Sequence, residues 1–229
     1  MTRGTLVVFA KAPRPGLVKT RMTPPLTPDE AAELYAHLLA DVLRASARLC
    51  AELGLDPVLA VHPPEACAEI AARAPAGFRA VAQRGADLGL RMGWAVREAA
   101  AAGTSPILLR GSDSPALGRG VLEAALAALR EVDLVLSPDR DGGYQLAGLR
   151  EPVPGLFSHP MSTSRVLEET LDRARTRGLR VRLLEQGFDL DSLADLRWLA
   201  LARSPAVTEL CPLTLAWLDQ QNLWPAQGR

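Results

Sequence analysis

The stretch "TLVVFAKAPRPGLVKTRM", residues 5–22, joins a short apolar run to a loop that is rich in basic residues. Residues 5–10 predict a buried strand, which the prolines of the loop bring to an end. Four basic side chains then lie within eleven residues that contain no acid: Lys11, Arg14, Lys19 and Arg21. These side chains are suited to binding phosphate, and Gly16 allows the backbone to approach it closely. The alternative is a solvated basic loop. The loop is not a Walker A loop, because the glycine-lysine-serine/threonine order is absent.

A long helix is predicted after this loop, from Pro28 to about Leu53. Thr27 is the expected N-cap residue, and Glu30 completes a capping box with it. Gly54 is suited to the left-handed conformation that often ends a helix. Strong sequence signals therefore predict both the first and the last residue of this helix.

Strand-like and helix-like segments alternate along the rest of the chain. Strands are predicted at 57–61, 78–82, 106–111, 132–137, 144–149 and 179–184. Helices are predicted at 65–74, 87–102, 119–130, 163–177, 193–202 and 206–221. This alternation predicts an α/β fold with a mostly parallel, helix-covered sheet, in one domain over residues 1–229. Ligands of such sheets bind at the C-terminal ends of the strands, so the loops found there are the candidate functional segments.

The composition limits the class of protein. Lysine plus arginine number 26 and aspartate plus glutamate number 26, so the net charge is zero. A nucleic-acid or membrane surface normally shows a basic excess, so neither partner is expected. Three cysteines, Cys50, Cys67 and Cys211, have no metal-ligand spacing. Their odd number argues against a disulfide framework, and together with the lack of a signal peptide it predicts a cytoplasmic protein.

Two loops at predicted strand ends carry carboxylates. In "RGSDSP", 110–115, Asp113 follows an apolar strand and is a candidate ligand of Mg²⁺ or Mn²⁺. The alternative is that Asp113 or Ser114 caps the next helix. In "SPDRDGGY", 137–144, the paired glycines either form an ordinary turn between strands or let the backbone lie against a substrate. Four residues of this segment would then bind substrate: Asp139, Asp141, Gly142 and Gly143.

Two further segments carry motif-like patterns. In "FDLDSLADL", 188–196, Asp189 and Asp191 are two residues apart, so an extended backbone would place both carboxylates on one side. The alternative is that these acids serve only the helix that Ser192 caps. The segment "QRGADLGLRM", 83–92, has two interpretations. Asp87 and Arg91 form an ion pair on a helix, or the segment recognises a nucleobase.

Five motifs occur here in one order: "VKTR", "Q-x-G-x-D-L-G-x-R-M", "G-S-D-S-P", "D-G-G-Y-x-L-x-G-L" and "D-L-D-S-x-x-D-L". Over residues 5 to about 200 this set resembles a bacterial family of GT-A-like transferases. That family is related to the phospholactate guanylyltransferase of coenzyme F420 synthesis and to the guanylyltransferase of molybdenum-cofactor synthesis. Some of its members are described as glycosyltransferases of arsenosugar pathways. The resemblance implies the nucleotide-diphospho-sugar transferase fold, with a twisted sheet between two layers of helices, and a divalent metal.

The resemblance also implies roles for individual residues. Lys19 and Arg21 match the phosphate-binding basic pair and join Asp113 as expected catalytic residues. Asp113 and Asp191 match the two metal carboxylates, and Gly142, Gly143 and Tyr144 match the glycine loop on the substrate side. The nucleotide is expected to contact the residues Ala10, Lys11, Gly16, Lys19, Arg21, Gln83, Gly85, Asp87 and Arg91. Four positions depart from the family pattern, namely Arg110, Ser112, Met161 and Ser192.

Two chemistries fit these residues, and both use a nucleotide or nucleotide-sugar donor and a small-molecule acceptor. In a glycosyltransferase the acceptor attacks a sugar carbon; in a nucleotidyltransferase a substrate phosphate attacks the α-phosphorus and pyrophosphate leaves. The usual description of the family favours sugar transfer, and this is the main expectation. A third possibility is a nucleotide-binding protein without activity, against which the presence of Lys19, Arg21, Asp113 and Asp191 together argues.

Overall fold

The computed structural model describes residues 3–225, which form a seven-stranded sheet covered by helices on both faces. The strands are β1 Gly4–Lys11, β2 Leu55–His62, β3 Arg79–Ala82, β4 Ile107–Gly111, β5 Leu134–Pro138, β6 Tyr144–Leu149 and β7 Val181–Leu183. The helices are α1 Pro28–Leu53, α2 Cys67–Ala71, α3 Leu88–Ala101, α4 Arg119–Ala128, α5 Val166–Thr176, α6 Leu196–Ala202, α7 Pro205–Leu210 and α8 Pro212–Gln220. Within the described residues, no helix is long and apolar enough to cross a membrane.

The sheet order is β3-β2-β1-β4-β6-β5-β7. Only β6 runs antiparallel to its neighbours β4 and β5, while the remaining pairs are parallel. The predicted α/β fold with a mostly parallel sheet is therefore confirmed. The C-terminal ends of β1, β4 and β5 lie at one edge, and their following loops come together there.

Alternation along the central strand divides the core into two layers. In β1, Val8 and Leu6 face the layer that contains α1 and α4, whereas Val7 faces the layer that contains α3 and α5. Each of these three side chains is at most 2% exposed. A strand buried on both faces reads as a continuous apolar run, which is why residues 5–10 were recognisable.

Local signals set α1 as predicted. The Thr27 side chain accepts a hydrogen bond from the Glu30 backbone, and Glu30 bonds back to the Thr27 backbone. Gly54 ends the helix at φ 69°, in the left-handed region. The helix spans Pro28–Leu53, the range the sequence predicts.

The C-terminal helices differ from the prediction. A single helix over 206–221 is wrong, because the segment breaks at Cys211 into α7 and α8. Pro212 has no N–H to continue a helix and disfavours helical geometry at the residue before it. The predicted helix over 65–74 is also shorter, since a 3₁₀ turn, Pro64–Ala66, precedes α2.

The start of α8 is held by a carboxylate from another helix. Asp41 of α1 is fully buried and accepts hydrogen bonds from the backbone N–H groups of Leu213 and Thr214 at 3.2 and 2.7 Å. It also accepts from the Thr214 hydroxyl and from Arg44. A negative charge at the N-terminus of a helix is favourable, so Asp41 fastens α8 to the core.

We expect Asp41→Ala to lower the free energy of unfolding by about 2–3 kcal/mol, because it leaves buried donors without a partner. Urea unfolding monitored by circular dichroism measures this change. Asp172→Ala is the control, since Asp172 is exposed and pairs only with its helical neighbour Arg175. A variant of Asp41 as stable as this control would show that α8 does not depend on the buried carboxylate.

Candidate active site

A cavity of about 730 Å³ opens at the C-terminal edge of the sheet. Its wall includes four segments that come from distant parts of the chain, with residues from 17–21, 139–145, 161–166 and 189–191, and residues of β1, α1, α3 and β4 complete it. Asp113, from the loop after β4, lies in the same wall. The structure therefore places a cavity at the ends of the strands, the position that the sequence predicts for ligand binding.

Lys19 lies between two carboxylates of this wall. Its ammonium group donates hydrogen bonds to Oδ1 of Asp113 and to Oδ1 of Asp191, the latter at 3.0 Å. The residue is 8% exposed and adopts a left-handed backbone, with φ 48°, before the 3₁₀ turn Thr20–Met22. Burial alone would lower the pKa of this ammonium, but the charges of Asp113 and Asp191 outweigh it and raise the pKa.

The backbone explains why Asp113 and Asp191 meet. The N–H of Leu190 donates to the carbonyl of Asp113 at 2.9 Å, which fixes the 188–191 segment beside the loop after β4. Ser192 caps the 3₁₀ turn Leu193–Asp195 and forms a capping box with Asp195, and the Asp191 backbone N–H also bonds to Asp195. The Asp191 side chain is not used by the helix and faces the cavity. The alternative, in which Asp113 or Ser114 caps the next helix, is wrong, since α4 begins later, after Gly118.

Asp189 lies behind these two carboxylates. It accepts a hydrogen bond from the Ser114 hydroxyl and is partly buried. Burial first, and then the charge of Asp113, raise the pKa of Asp189 to about 7. As the spacing predicts, Asp189 and Asp191 both reach the cavity wall.

Arg110 is a buried structural cation. It is 2% exposed and donates to the carbonyl of Ser114 at 2.7 Å and to the hydroxyl of Ser46 at 3.2 Å. Burial lowers its pKa to about 10, while the charge of Asp189 acts in the opposite direction. The guanidinium thus holds the loop that carries Asp113 and offsets the buried negative charge behind it.

Tyr35 joins the two loops that carry the charged residues. Its hydroxyl accepts from the backbone N–H of Lys11 at 2.9 Å and is 2.7 Å from the Ser112 hydroxyl. The Lys19 ammonium lies 5.7 Å from the centre of its ring. Sequence reasoning missed Tyr35, because on α1 it occupies an ordinary core position of the helical pattern. No local signal distinguishes it from the apolar residues beside it.

The 139–143 segment is a tight turn between β5 and β6. Oδ1 of Asp139 accepts from the backbone N–H groups of Gly143 and Asp141 at 2.8 and 3.1 Å. Burial first, and then the neighbouring Asp141 and Asp189, raise the pKa of Asp139 to about 8. The turn joins two strands, and Asp139, Asp141 and Gly143 also line the cavity, whereas Gly142 does not. Contact of this segment with a substrate stays a prediction.

A segment over 157–164 closes one side of the cavity against two glycines. A Cβ atom added at Gly142 would lie 2.0 Å from the carbonyl oxygen of Ser164, and one at Gly89 would lie 1.9 Å from that of Phe157. The Gly142 carbonyl also accepts from the Leu167 N–H at the start of α5. Met161, Ser162, Thr163 and Ser164 line the cavity, and sequence reasoning did not identify these serine and threonine residues as site residues.

The predicted site residues divide into two groups. The cavity wall includes Lys11, Lys19, Arg21, Asp113, Asp139, Asp141, Gly143, Tyr144 and Asp191. Outside the wall lie Ala10, Gly16, Gln83, Gly85, Asp87, Arg91 and Gly142.

Local contacts occupy several residues of this second group. Gln83 donates to the carbonyls of Ala10 and Ala60, Asp87 caps α3, and Arg91 bonds to the carbonyl of Gly85. The predicted Asp87–Arg91 side-chain pair is therefore absent from the described contacts. Contact of these residues with a nucleotide stays a prediction.

The fold and the cavity define the class of protein. The crystal structure of a candidate nucleotide-diphospho-sugar transferase from Desulfovibrio desulfuricans G20 aligns with 97% of this chain and 97% of its own, at 29% identity and a TM-score of 0.83. The fold is therefore the nucleotide-diphospho-sugar transferase fold that the sequence predicts. Together with the curated relatives, this shows that the protein is a transferase.

The chain belongs to the bacterial family described as "Uncharacterized protein conserved in bacteria (DUF2064)", whose model matches residues 45–164. It is 36% identical to the phosphoenolpyruvate guanylyltransferase of Sphaerobacter thermophilus, over 86% of this chain and 93% of the relative. It is 35% identical to the 3-phospho-D-glycerate guanylyltransferase of Phenylobacterium zucineum, over 94% and 97%. The predicted relation to guanylyltransferases is confirmed, whereas the arsenosugar relation finds no support in these relatives.

Proposed function

We propose that this protein is a nucleotidyltransferase that transfers GMP from GTP to the phosphate of a small phosphorylated carboxylic acid. An oxygen of the acceptor phosphate attacks the α-phosphorus, and the bond from the α-phosphorus to the oxygen that bridges to the β-phosphorus breaks. The electron pair of that bond leaves with pyrophosphate. The names of the two curated relatives support guanine as the base. The acceptors in those names, phosphoenolpyruvate and 3-phospho-D-glycerate, each carry one phosphate and one carboxylate.

The observation that carries the proposal is the pairing of opposite charges across the cavity. Lys11 ends β1 and Lys19 and Arg21 follow in the loop after it, while Asp113 and Asp191 lie directly beside the Lys19 ammonium. A triphosphate needs several cations, because negative charge accumulates on the leaving pyrophosphate as the bond breaks. The basic loop supplies these cations at fixed positions, and catalysis then depends on positioning and electrostatics.

Asp113 and Asp191 fit a divalent metal. Their Oδ1 atoms converge on one cationic position, now taken by the Lys19 ammonium, and the side chains are 35% and 38% exposed toward the cavity. Among the described residues no third histidine, cysteine, aspartate or glutamate completes a cluster around a common point. Mg²⁺ is commonly bound in this way, by one or two carboxylates plus substrate phosphates and water. When bound, Mg²⁺ or Mn²⁺ would neutralise charge on the phosphate oxygens.

The remaining wall is suited to the acceptor. Ser162, Thr163 and Ser164 offer hydroxyl groups, and Gly143 has no side chain to obstruct a close approach. Asp139, with its raised pKa, is partly protonated near neutral pH and adds less negative charge to an anionic site than an ordinary carboxylate would. These residues are therefore assigned to binding the acceptor.

Tyr35→Phe should lower kcat/KM for GTP about tenfold, because it removes the hydroxyl that ties the Lys11 backbone to the Ser112 loop. The buried ring is kept, so the fold should persist. Steady-state pyrophosphate release over a range of GTP concentrations measures the effect. Unchanged kcat/KM in a variant that is only less stable would restrict Tyr35 to a structural role.

Sugar transfer is the second candidate. It is favoured by Asp139 and Asp141, which lie in the cavity wall and offer acceptor oxygens to sugar hydroxyls. The sequence alone favours this reaction, whereas both curated relatives are named for guanylyl transfer. The nucleotidyl reaction is therefore the better supported of the two.

Product analysis separates the two reactions. The protein is incubated with Mg²⁺, each of the four nucleoside triphosphates, and phosphoenolpyruvate or 3-phosphoglycerate, while pyrophosphate is measured by a coupled assay and products by mass spectrometry. We expect pyrophosphate and a guanylylated acceptor in equal amounts, with GTP preferred. Release of nucleoside diphosphate from a nucleotide sugar, without pyrophosphate from any triphosphate, would overturn the proposal in favour of sugar transfer.

A further inference from the structure

We infer that Lys19 occupies the divalent-cation position in the nucleotide-free protein and vacates it when a triphosphate binds. The metal would then enter together with the nucleotide rather than before it. This inference rests on the proposed function, because it assumes that Asp113 and Asp191 hold the metal during the reaction.

The geometry of Lys19 carries the first step. One ammonium group bonds to Oδ1 of Asp113 and to Oδ1 of Asp191, and the Lys19 side chain is only 3% exposed. A divalent ion bound by the same two oxygens would need them at about 2.0–2.2 Å. An ammonium group and a metal ion cannot both be bound by these two Oδ1 atoms, because they would occupy the same position and their like charges repel. Binding of the two cations is therefore mutually exclusive.

The backbone around Lys19 is held in place, whereas its side chain has space in the cavity to rotate. Val18 and Met22 are buried on either side, and the Met22 N–H bonds to the Lys19 carbonyl at 2.9 Å. The flexible four-carbon side chain faces a cavity that is also lined by Lys11 and Arg21. Rotation of the side chain alone would move the ammonium group away from the carboxylates and toward the part of the cavity that Lys11 and Arg21 line.

A triphosphate supplies what that rotation requires. Its oxygens offer the ammonium new charge-assisted hydrogen bonds, so Lys19 exchanges one set of anionic partners for another. The carboxylates that it leaves need a cation in turn, because close unpaired negative charges are unfavourable. A divalent metal ion that enters with the nucleotide would supply this cation and would neutralise charge on the phosphates. Without a bound anion near Lys19, the metal would have to displace a buried ammonium group that makes two hydrogen bonds to carboxylates.

Manganese titration of the nucleotide-free protein tests this exchange. Free Mn²⁺ is measured by electron paramagnetic resonance for the wild type, Lys19→Met, Arg21→Met and Asp113→Asn. Lys19→Met should bind Mn²⁺ at least about tenfold more tightly than the wild type, since it removes the competing charged hydrogen bonds but keeps the side-chain volume. Arg21→Met removes a charge from the same loop but leaves the contacts of both carboxylates in place, so the affinity for Mn²⁺ should change no more than about threefold.

Thermal unfolding gives a second readout. In the presence of a chelator, Lys19→Met should melt below the wild type, because Asp113 and Asp191 lose their cation. Mn²⁺ should restore its melting temperature, and a Lys19→Met/Asp113→Asn double variant should not respond. Equal Mn²⁺ affinity of the wild type and Lys19→Met would overturn the inference.

The wild type provides a test that does not depend on a folded variant. Crystals without nucleotide, soaked in MnCl₂, should show no anomalous scattering between Asp113 and Asp191, whereas crystals grown with Mn²⁺ and GTP should show it, with Lys19 turned toward the phosphates. Manganese bound there without nucleotide would refute the exchange but leave the proposed function intact. If GTP turnover proceeds in chelator and no form binds Mn²⁺, the metal-dependent function itself is wrong.

Discussion

Replacing Asp113 by asparagine should reduce pyrophosphate release from GTP roughly a thousandfold, a loss of about 4 kcal/mol of transition-state stabilisation. Asparagine keeps the size of the side chain but removes the charge that holds the cation. It also removes one of the two anionic partners of Lys19. The reaction would then lose one of the two carboxylates that are proposed to hold the metal. Steady-state assays at saturating Mg²⁺ measure the loss.

A matched control separates this effect from a general change of charge. Asp133→Asn removes a carboxylate just before β5, at the opposite end of that strand from the cavity, where Asp133 pairs with Arg180. This variant should keep wild-type activity. Circular dichroism should show that both variants are folded. Wild-type activity in a folded Asp113→Asn protein would remove Asp113 from the catalytic machinery.

The sequence specifies the sheet and its first helix because their signals are local. The apolar run of β1, the capping box of Thr27 and Glu30, and Gly54 each act within a few residues. The same is true of Asp113, whose place just past a strand is visible in the chain itself. Parallel sheets gather such strand ends at one edge, so Asp113 and the basic loop were expected to meet.

The parts that could not be predicted depend on contacts between distant segments. Tyr35 becomes part of the site only because α1 packs beneath the loop after β1, which brings its hydroxyl to Ser112, 77 positions away. The 157–164 segment reaches the cavity because Gly89 and Gly142 allow it to approach closely. Neither relation leaves a periodic or local pattern in the sequence.

The choice between nucleotidyl and sugar transfer was also beyond the sequence. Both reactions need cations for phosphates and carboxylates for a metal, so Lys19, Arg21, Asp113 and Asp191 serve either one. What differs is the group that faces the reacting atom, and that is decided by the shape of the acceptor wall. The arrangement of Asp139 and of residues 161–164 around the cavity is a property of the folded chain.

Gly142→Ala should lower kcat/KM at least about a hundredfold, the effect of displacing reacting groups by about 1 Å. Gly142 has φ +94°, and its added Cβ would lie 2.0 Å from the Ser164 carbonyl oxygen, so the turn and the 157–164 segment must separate. That separation would also weaken the bond from the Leu167 N–H to the Gly142 carbonyl. Steady-state kinetics with each substrate varied in turn measure the effect.

Two other glycines show whether this separation is the cause. Gly120 lies on the exposed side of α4 and an added Cβ there meets nothing within 4 Å, so Gly120→Ala should leave activity unchanged. In Gly89→Ala, the new side chain on α3 would clash with the same segment, because its Cβ would lie 1.9 Å from the Phe157 carbonyl oxygen. It should therefore reproduce the loss seen with Gly142→Ala. If Gly142→Ala alone is impaired, the strained turn is responsible, and the packing of residues 157–164 does not shape the site.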